Sequence, residues 1–264
     1  MKKFLKTILK IIIFFTGWSV CCALGTIPSE NPSVWRFGAE LLPLLWMILF
    51  TFIFWLVEKK NVSIPIINNC GRGSLIGFAA GIGWIGVTAI LLLALQAEKI
   101  TGSNQINYIW LWMLSAFLNT IMQELLVRGY IYQLIKKEYH MAAAMAATTA
   151  LFTLLHGGAF EAGILPVLNV MTMSLFATAI YEYSGTLTAP VMAHAVWNII
   201  GGIILGGVSL ADDYPKLFIM EAAGNPVISG GDYMLEGSIV VLFLNISLFI
   251  FFWKKLGERT GKKS

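Results

Sequence analysis

The feature that most constrains this chain is a succession of long apolar runs. Eight runs can be delimited in its 264 residues, near 4–26, 37–57, 75–96, 107–133, 139–160, 162–183, 186–207 and 236–255. A run of about 20 apolar residues spans the hydrocarbon core of a bilayer as an α-helix. These runs are continuous, and they lack the alternation of apolar and polar residues that is typical of membrane β-barrels.

The composition agrees with this interpretation, since 58% of the residues are hydrophobic and only 12% are charged. About a quarter of the residues are charged in a typical soluble domain. The longest gap, SLADDYPKLFIMEAAGNPVISGGDYMLEG, is interpreted as an extramembrane loop. We therefore expect an all-α polytopic membrane protein with about eight transmembrane helices. The first run is expected to stay in the protein as a membrane helix. Residues 1–264 are expected to form a single domain.

The basic residues predict the orientation of the chain, because Lys and Arg accumulate in cytoplasmic loops. With the N-terminus inside, 14 of the 18 basic residues fall in cytoplasmic segments and Arg128 falls within a run. The three outside are Arg36, Lys99 and Lys216. The C-terminal inside group is Lys254, Lys255, Arg259, Lys262 and Lys263. Both termini are predicted to be cytoplasmic, in the plasma membrane, and the net charge gives no indication of a nucleic-acid partner.

Polar residues within the runs fall mainly on the fourth, fifth and seventh, with almost nothing polar on the first, second, third and eighth. They are Asn119, Gln123, Glu124 and Arg128, then His156, then His194 and Asn198. An ionisable residue inside a membrane helix indicates a functional site. A spacing of four residues places Glu124 and Arg128 on one helical face, where they can form an ion pair.

Packing of these three runs would bring a carboxylate and two imidazoles into one pocket. Glu124, His156 and His194 form a typical ligand set for zinc or a similar divalent metal, which lowers the pKa of a bound water. Alternatively, Glu124 and a histidine activate water without a metal. Asn198 can donate hydrogen bonds to an oxyanion, and Arg128 can hold Glu124 ionised. Both mechanisms, which stay open here, serve hydrolysis of a peptide bond within the membrane.

Other interpretations of the same residues are structural or concern transport. Glu124 and Arg128 can form a purely structural ion pair, and His156 can be a hydrogen-bonding residue of helix packing. Buried charges also serve ion relays in transporters, whose folds tend to show paired broken helices in two related halves. The sequence shows no such symmetry, and the joint occurrence of these residues on three runs favours a catalytic site.

Three segments, QELLVRG, FTLLH and HAVWN, resemble in order the motifs E-E-x-x-x-R, F-x-x-x-H and H-x-x-x-N or D of the CPBP family. That family contains the CAAX prenyl endopeptidases and the bacteriocin-processing and immunity proteins, also called Abi. The resemblance covers about residues 107–205. It implies a CAAX-protease-like helical bundle and an intramembrane metalloprotease-like endopeptidase. Hydrophobic or lipidated peptides, or leader peptides, would be the substrates, reached from the lipid bilayer.

The resemblance also implies roles for individual residues. Glu124 and His156 would activate water, while His194 and Asn198 would stabilise the oxyanion. Gln123 departs from the family, which has a glutamate there. A glutamine cannot accept a proton as a base, although it can position a water or a substrate amide. Either the chain is an active protease, which we favour, or it is a catalytically impaired relative with a binding, immunity or regulatory role.

The fourth run is long enough to need a break. A straight helix to Lys136 would place Glu124 near the middle of the bilayer, since each residue rises by about 1.5 Å. We therefore expect a break after Gly129, with residues 130–138 along the cytoplasmic interface.

Overall fold

The computed structural model describes residues 1–66, 68–209, 211 and 213–261. The predicted cytoplasmic residues Lys262 and Lys263 lie outside the described residues. About 76% of the chain is helical. The protein is therefore an all-α polytopic membrane protein, as the apolar runs predict.

Among the residues that the structure describes, six helical segments are long and apolar enough to cross a membrane. They are α1 (Lys2–Ala23), α2 (Pro32–Val57), α3 (Cys70–Ala94), the segment Ile109–Glu138, α8 (Ile164–Ser184) and α12 (Ile239–Gly261). The long segment consists of α4 (Ile109–Glu124), a π-helical turn (Leu125–Ile131) and α5 (Tyr132–Glu138).

Two shorter apolar helical segments correspond to the fifth and seventh runs. One is α6 (Met141–Leu155), and the other is α9 (Thr188–Val196) with the π-helical segment Trp197–Ile204. The 15 residues of α6 rise by only about 22 Å, less than the roughly 30 Å of a hydrocarbon core. Each predicted run therefore contains a helix, while the number of eight spans stays a prediction.

The remaining elements are short. They are β1 (Glu98–Ser103), α7 (Gly157–Ala162), β2 (Phe218–Ala222), α10 (Pro226–Ser229), a 3-10 turn (Gly231–Tyr233) and α11 (Met234–Gly237). The strands pair antiparallel, with Glu98 opposite Ala222 and an irregularity between Ile100 and Gly102. This two-stranded sheet was not predicted from the sequence, and it organises part of the segment interpreted as a loop.

Local chemistry explains how helices form in so apolar a chain. The Asn31 side chain accepts a hydrogen bond from the Ser33 amide at 3.0 Å, and Pro32 occupies the first turn of α2. Within the helices, hydroxyl groups donate to the carbonyl four residues earlier, as Thr88 does to Trp84 and Thr120 to Ala116. These bonds satisfy polar groups that a hydrocarbon environment would leave without partners.

The chain folds as two compact units and passes from one to the other at three points, the last of them inside α6. The first unit comprises Met1–Pro65 and Tyr108–Thr148, and the second comprises Ile66–Asn107 and Thr149–Ser264. In the first unit α2 packs against α1 and α4, with Phe14, Phe54 and Tyr130 in mutual ring contact. In the second unit α3 packs against α9, and α8 packs against α12. The single domain over residues 1–264 stays a prediction.

Candidate active site

The first motif places an ion pair in the interior of the first unit. Arg128 Nη1 donates to both carboxylate oxygens of Glu124, at 2.9 and 2.8 Å. Both side chains are fully buried. The predicted pairing at a spacing of four residues is therefore present. Arg128 compensates the Glu124 charge and fixes the orientation of its carboxylate, because an unpaired charge in this environment would be strongly destabilising.

The helix geometry changes immediately after Glu124. Leu125–Ile131 forms a π-helical turn, and the backbone of Gly129 leaves the helical region with φ −76° and ψ −108°. A π-turn inside an α-helix commonly occurs at functional sites, since it re-aims the side chains around it. The predicted break at Gly129 is confirmed as a kink. The location of residues 130–138 along the membrane interface stays a prediction.

Gln123 belongs to a chain of hydrogen bonds that reaches α2. Its Nε2 lies 2.6 Å from Asn119 Oδ1, and Asn119 Nδ2 lies 2.7 Å from Glu40 Oε2. Glu40 in turn pairs with Arg36 Nη1 at 3.0 Å. The expectation that the second run carries almost nothing polar is wrong, because Glu40 is buried. The spacing of Arg36 and Glu40, four residues apart, was the sequence signal that could have revealed this pair.

His156 ends the helix that carries the second motif. Its Nδ1 lies 2.7 Å from the carbonyl oxygen of Phe152. Because a carbonyl oxygen can only accept, Nδ1 must carry the hydrogen, and the lone pair of the neutral ring is on Nε2. The Phe152 and His156 rings are also in contact, with centroids 4.3 Å apart. The F-x-x-x-H spacing thus selects the tautomer and the orientation of the imidazole.

The third motif brings a second imidazole to the same phenyl ring. His194 on α9 is buried, and its ring centroid lies 6.0 Å from that of Phe152 in an edge-on arrangement. Asn198 is also buried and lies in the π-helical segment Trp197–Ile204. Its neighbour Trp197 stacks on Trp84 of α3, with centroids 3.9 Å apart. Both histidines predicted from the sequence therefore contact one aromatic ring in the second unit.

Glycines of α3 allow α9, and with it His194, to approach closely. A Cβ atom added to Gly77 would lie 2.1 Å from the carbonyl oxygen of Ala189, and one added to Gly81 would lie 2.9 Å from that of Ala193. Gly73 makes a third close approach, to Thr186. Small residues at a spacing of four are the usual means of close helix packing in membranes. The spacing of Gly73, Gly77 and Gly81 is the sequence signal that could have revealed this contribution to the site.

His156 lines a cavity of about 270 Å³ in the second unit. Most of its wall is small or apolar: Gly157, Gly158, Ala159, Ala162, Pro166 and Val170. Its polar lining includes Tyr233, Ser209 and Glu236. Glu236 accepts a hydrogen bond from the Ser209 amide at 2.8 Å, and burial raises its pKa to about 7 despite this bond. Glu236 was missed because it lies in the segment interpreted as a loop.

The residues present are chemically suited to a metal, although the predicted set spans both units. Within each unit, the residues that the structure describes contain no group of three or more His, Cys, Asp or Glu side chains that could hold a metal ion. In His156, Nδ1 lies on a backbone carbonyl, as in many metal-binding histidines, and Nε2 would be the atom that binds a metal. The set of Glu124, His156 and His194, and its convergence on one pocket, stays a prediction.

Comparison with known proteins identifies the segment that carries these motifs. Residues 105–200 match the Rce1-like family of type II CAAX prenyl endopeptidases. The resemblance to the CPBP family is thereby confirmed. No curated protein and no solved structure matches the chain.

The Rce1-like segment contains all three motifs, from Gln123 to Asn198. It supports an intramembrane endopeptidase, and thus a peptide hydrolase in a multi-pass membrane protein. Glu40, Arg36 and Glu236 lie outside the matched residues. Only the structure shows that Glu40 lies beside the first motif and that Glu236 lines the same cavity as His156.

Proposed function

We propose that this protein is an intramembrane endopeptidase that hydrolyses peptide bonds in hydrophobic or lipidated peptides or in leader peptides. The observation that carries the proposal is the arrangement of two motif imidazoles on the Phe152 ring, with His156 fixed by the Phe152 carbonyl at the wall of a cavity. The bond to the Phe152 carbonyl puts the ring proton on Nδ1, and the same histidine lines an open cavity. The Rce1-like match supports the same kind of activity.

Each motif residue has a role that its surroundings support. Glu124, held ionised by Arg128, and His156, with its lone pair on Nε2, are the groups that would accept the proton of the attacking water. His194 and Asn198 would donate hydrogen bonds to the oxyanion of the tetrahedral intermediate.

Gln123 has a different role because it cannot act as a base. Its amide would position the attacking water or a substrate N–H through hydrogen bonds.

Glu124, His156 and His194 would hold a divalent metal such as zinc. When bound, such an ion polarises the substrate carbonyl and lowers the pKa of a bound water. The tautomer of His156 serves equally in the metal-free alternative, where Nε2 accepts a proton. Metal analysis of the purified protein separates the two, since the metal-dependent form predicts one bound ion that His156→Ala loses.

The small apolar residues of the cavity wall suit an uncharged peptide segment that arrives from the bilayer. The matching family is described as type II CAAX prenyl endopeptidase, so a prenylated peptide is one of the two probes for this chain. The proposal places the enzyme in the plasma membrane with both termini in the cytoplasm, and it involves no nucleic acid.

The second candidate function is that of a catalytically impaired relative with a binding, immunity or regulatory role. Gln123 favours it, because its amide replaces the glutamate of the family motif. All other motif residues are present, so we propose activity as the primary function.

The test is a cleavage assay in liposomes with two quenched fluorescent peptides, a farnesylated CAAX peptide and an unmodified hydrophobic leader peptide. We expect cleavage by the wild type and a loss of at least about 100-fold in kcat for Glu124→Ala, His156→Ala and His194→Ala. Leu154→Ala, an exposed change on α6, should retain activity. If the three variants cleave the peptides at the wild-type rate, the assigned site is refuted. Absence of turnover in the wild type, together with turnover in Gln123→Glu, would establish the impaired relative.

A further inference from the structure

A directional chain of hydrogen bonds links α2 to Gln123 inside the first unit. Gln123 donates to Asn119 at 2.6 Å, and Asn119 donates to Glu40 at 2.7 Å. Glu40 also accepts from Arg36 at 3.0 Å. Glu40 is buried at 6% exposure. The bond between Glu40 and Asn119 connects residues that are 79 positions apart, so tertiary packing and not local spacing creates the chain.

The chemistry of Glu40 fixes the direction of the whole chain. A carboxylate paired with Arg36 can only accept, so the Asn119 atom that faces it must be the Nδ2 donor. The Oδ1 of Asn119 then faces position 123 and requires a donor there. Gln123 supplies this donor with Nε2, which leaves its Oε1 as an acceptor on the other side. That Oε1 atom is buried and has no hydrogen-bond partner among the residues that the structure describes.

We propose that Glu40 is a positioning residue of the site, which acts through Asn119 to present Gln123 Oε1 as an acceptor for a water or a substrate N–H. This inference rests on the proposed function, because it assigns Gln123 the task of holding a reactant. A buried acceptor without a donor is unfavourable in the absence of a ligand, and binding of an O–H or N–H group satisfies it.

The same chain explains why glutamine, and not glutamate, occupies position 123. In Gln123→Glu, at a pH where the new carboxyl is ionised, two acceptors face each other at Asn119 Oδ1. Rotation of the Asn119 amide only transfers the conflict to Glu40. If position 40 is also changed, by Glu40→Gln, the new amide donates to Asn119 Oδ1 and Asn119 donates to the new carboxylate. The direction of the chain is then reversed and every bond is satisfied.

The inference is tested by a double-mutant cycle in the full-length protein in detergent. Gln123→Glu should lower the thermal midpoint by roughly 5 °C, the effect expected of one unsatisfied buried acceptor. The double variant Glu40→Gln/Gln123→Glu should recover most of that loss. In an Asn119→Ala background, the effects of the two changes should become additive, since the connecting amide is absent.

Glu58 provides the matched control. It is another buried carboxylate of the first unit, and it is bonded to Lys10 and Tyr130 instead of Asn119. Glu58→Gln should not recover the midpoint of Gln123→Glu. If it does so as well as Glu40→Gln, or if Gln123→Glu is as stable as the wild type, the directional chain is refuted.

The positioning role requires a kinetic measurement with the farnesylated peptide. Glu40→Gln should lower kcat roughly tenfold with KM within about twofold, because the acceptor is no longer held in one direction. Gln123→Glu is expected to lose turnover, because its carboxylate conflicts with Asn119 Oδ1, and the double variant should regain it. If kcat of Glu40→Gln equals that of the wild type, the hydrogen-bond chain has only a structural role and the proposal is wrong. If no variant and no wild type cleaves either peptide, the proposed function fails, and the thermal cycle still decides the direction of the chain.

Discussion

Arg128 Nη1 lies within 2.9 Å of both carboxylate oxygens of Glu124, and neither side chain is exposed. One nitrogen therefore orients the whole carboxylate. A buried pair of this kind contributes little net stability relative to apolar residues, because desolvation of both charges offsets their attraction. Its presence in the interior of an apolar unit is better explained by a need for an ionised carboxylate than by a need for stability.

Replacement of the pair tests that explanation. Arg128→Met removes the guanidinium that pairs with the buried Glu124 carboxylate, and we expect a loss of about 3–5 kcal/mol in the free energy of unfolding. The double change Glu124→Leu/Arg128→Met removes both charges and should recover most of this loss while cleavage stays absent. Thermal unfolding in detergent and the liposome assay give the two readouts. A double variant that still cleaves would show that the pair is structural only.

Phe152 is expected to control both imidazoles, because its ring contacts His156 and His194. Phe152→Ala should lower the free energy of unfolding by about 3–5 kcal/mol, since the side chain is almost fully buried. Phe152→Leu fills most of the volume and should retain the fold with a lower kcat, because Leu provides no ring to hold the imidazoles. The control Leu154→Ala, at 68% exposure on the same helix, should change neither quantity. Wild-type kcat in Phe152→Leu would contradict this role.

The sequence predicts those structural features that are determined by residues close together in the chain. Apolar runs give helices wherever the bilayer requires internal hydrogen bonds, and the break at Gly129 follows from the length of the fourth run. The spacing of four residues gives the Glu124–Arg128 pair directly. The family motifs give His156, His194 and Asn198, and the structure then specifies how the two imidazoles lie against Phe152.

The parts that the sequence did not predict depend on contacts between distant segments. Glu40 meets Asn119 across 79 residues, and β1 pairs with a strand that begins more than 100 residues later. The function of Gly77 is visible only once Ala189 lies against it. The spacing of Gly73, Gly77 and Gly81 indicates a close helix contact, but it does not say which segment makes that contact.

Gly77 tests whether close packing of α3 on α9 positions His194. A Cβ atom in Gly77→Ala would overlap the Ala189 carbonyl oxygen, so α9 must shift. We expect a lower thermal midpoint and a loss of activity of at least about tenfold, since a displacement of about 1 Å can cost roughly 100-fold in rate. Gly83→Ala on the same helix is the matched control, because its Cβ atom would meet no atom within 4 Å. Equal effects of the two substitutions would contradict the packing role.

Glu98 on β1 has a buried carboxylate with no hydrogen-bond partner among the described residues. Burial raises its pKa from 4.5 to about 7. The folded state therefore binds this proton more tightly than the unfolded state, so the contribution of Glu98 to stability is largest below about pH 4.5 and is lost as the pH rises through about 7. The shift sets an upper bound of about 3 kcal/mol, which water near the carboxylate screens to a smaller value.

Glu98→Leu should remove this dependence and raise the thermal midpoint above that of the wild type at about pH 8, where the wild-type carboxylate is ionised. Glu221→Gln is the matched control, since Glu221 is the exposed carboxylate of β2 that lies opposite Lys99. It should reproduce the wild-type decrease between pH 4.5 and about 7, because it leaves Glu98 in place. The measurement is the thermal midpoint in detergent at a series of pH values. A Glu98→Leu variant that loses stability over that range as steeply as the wild type would show that another group causes the decrease.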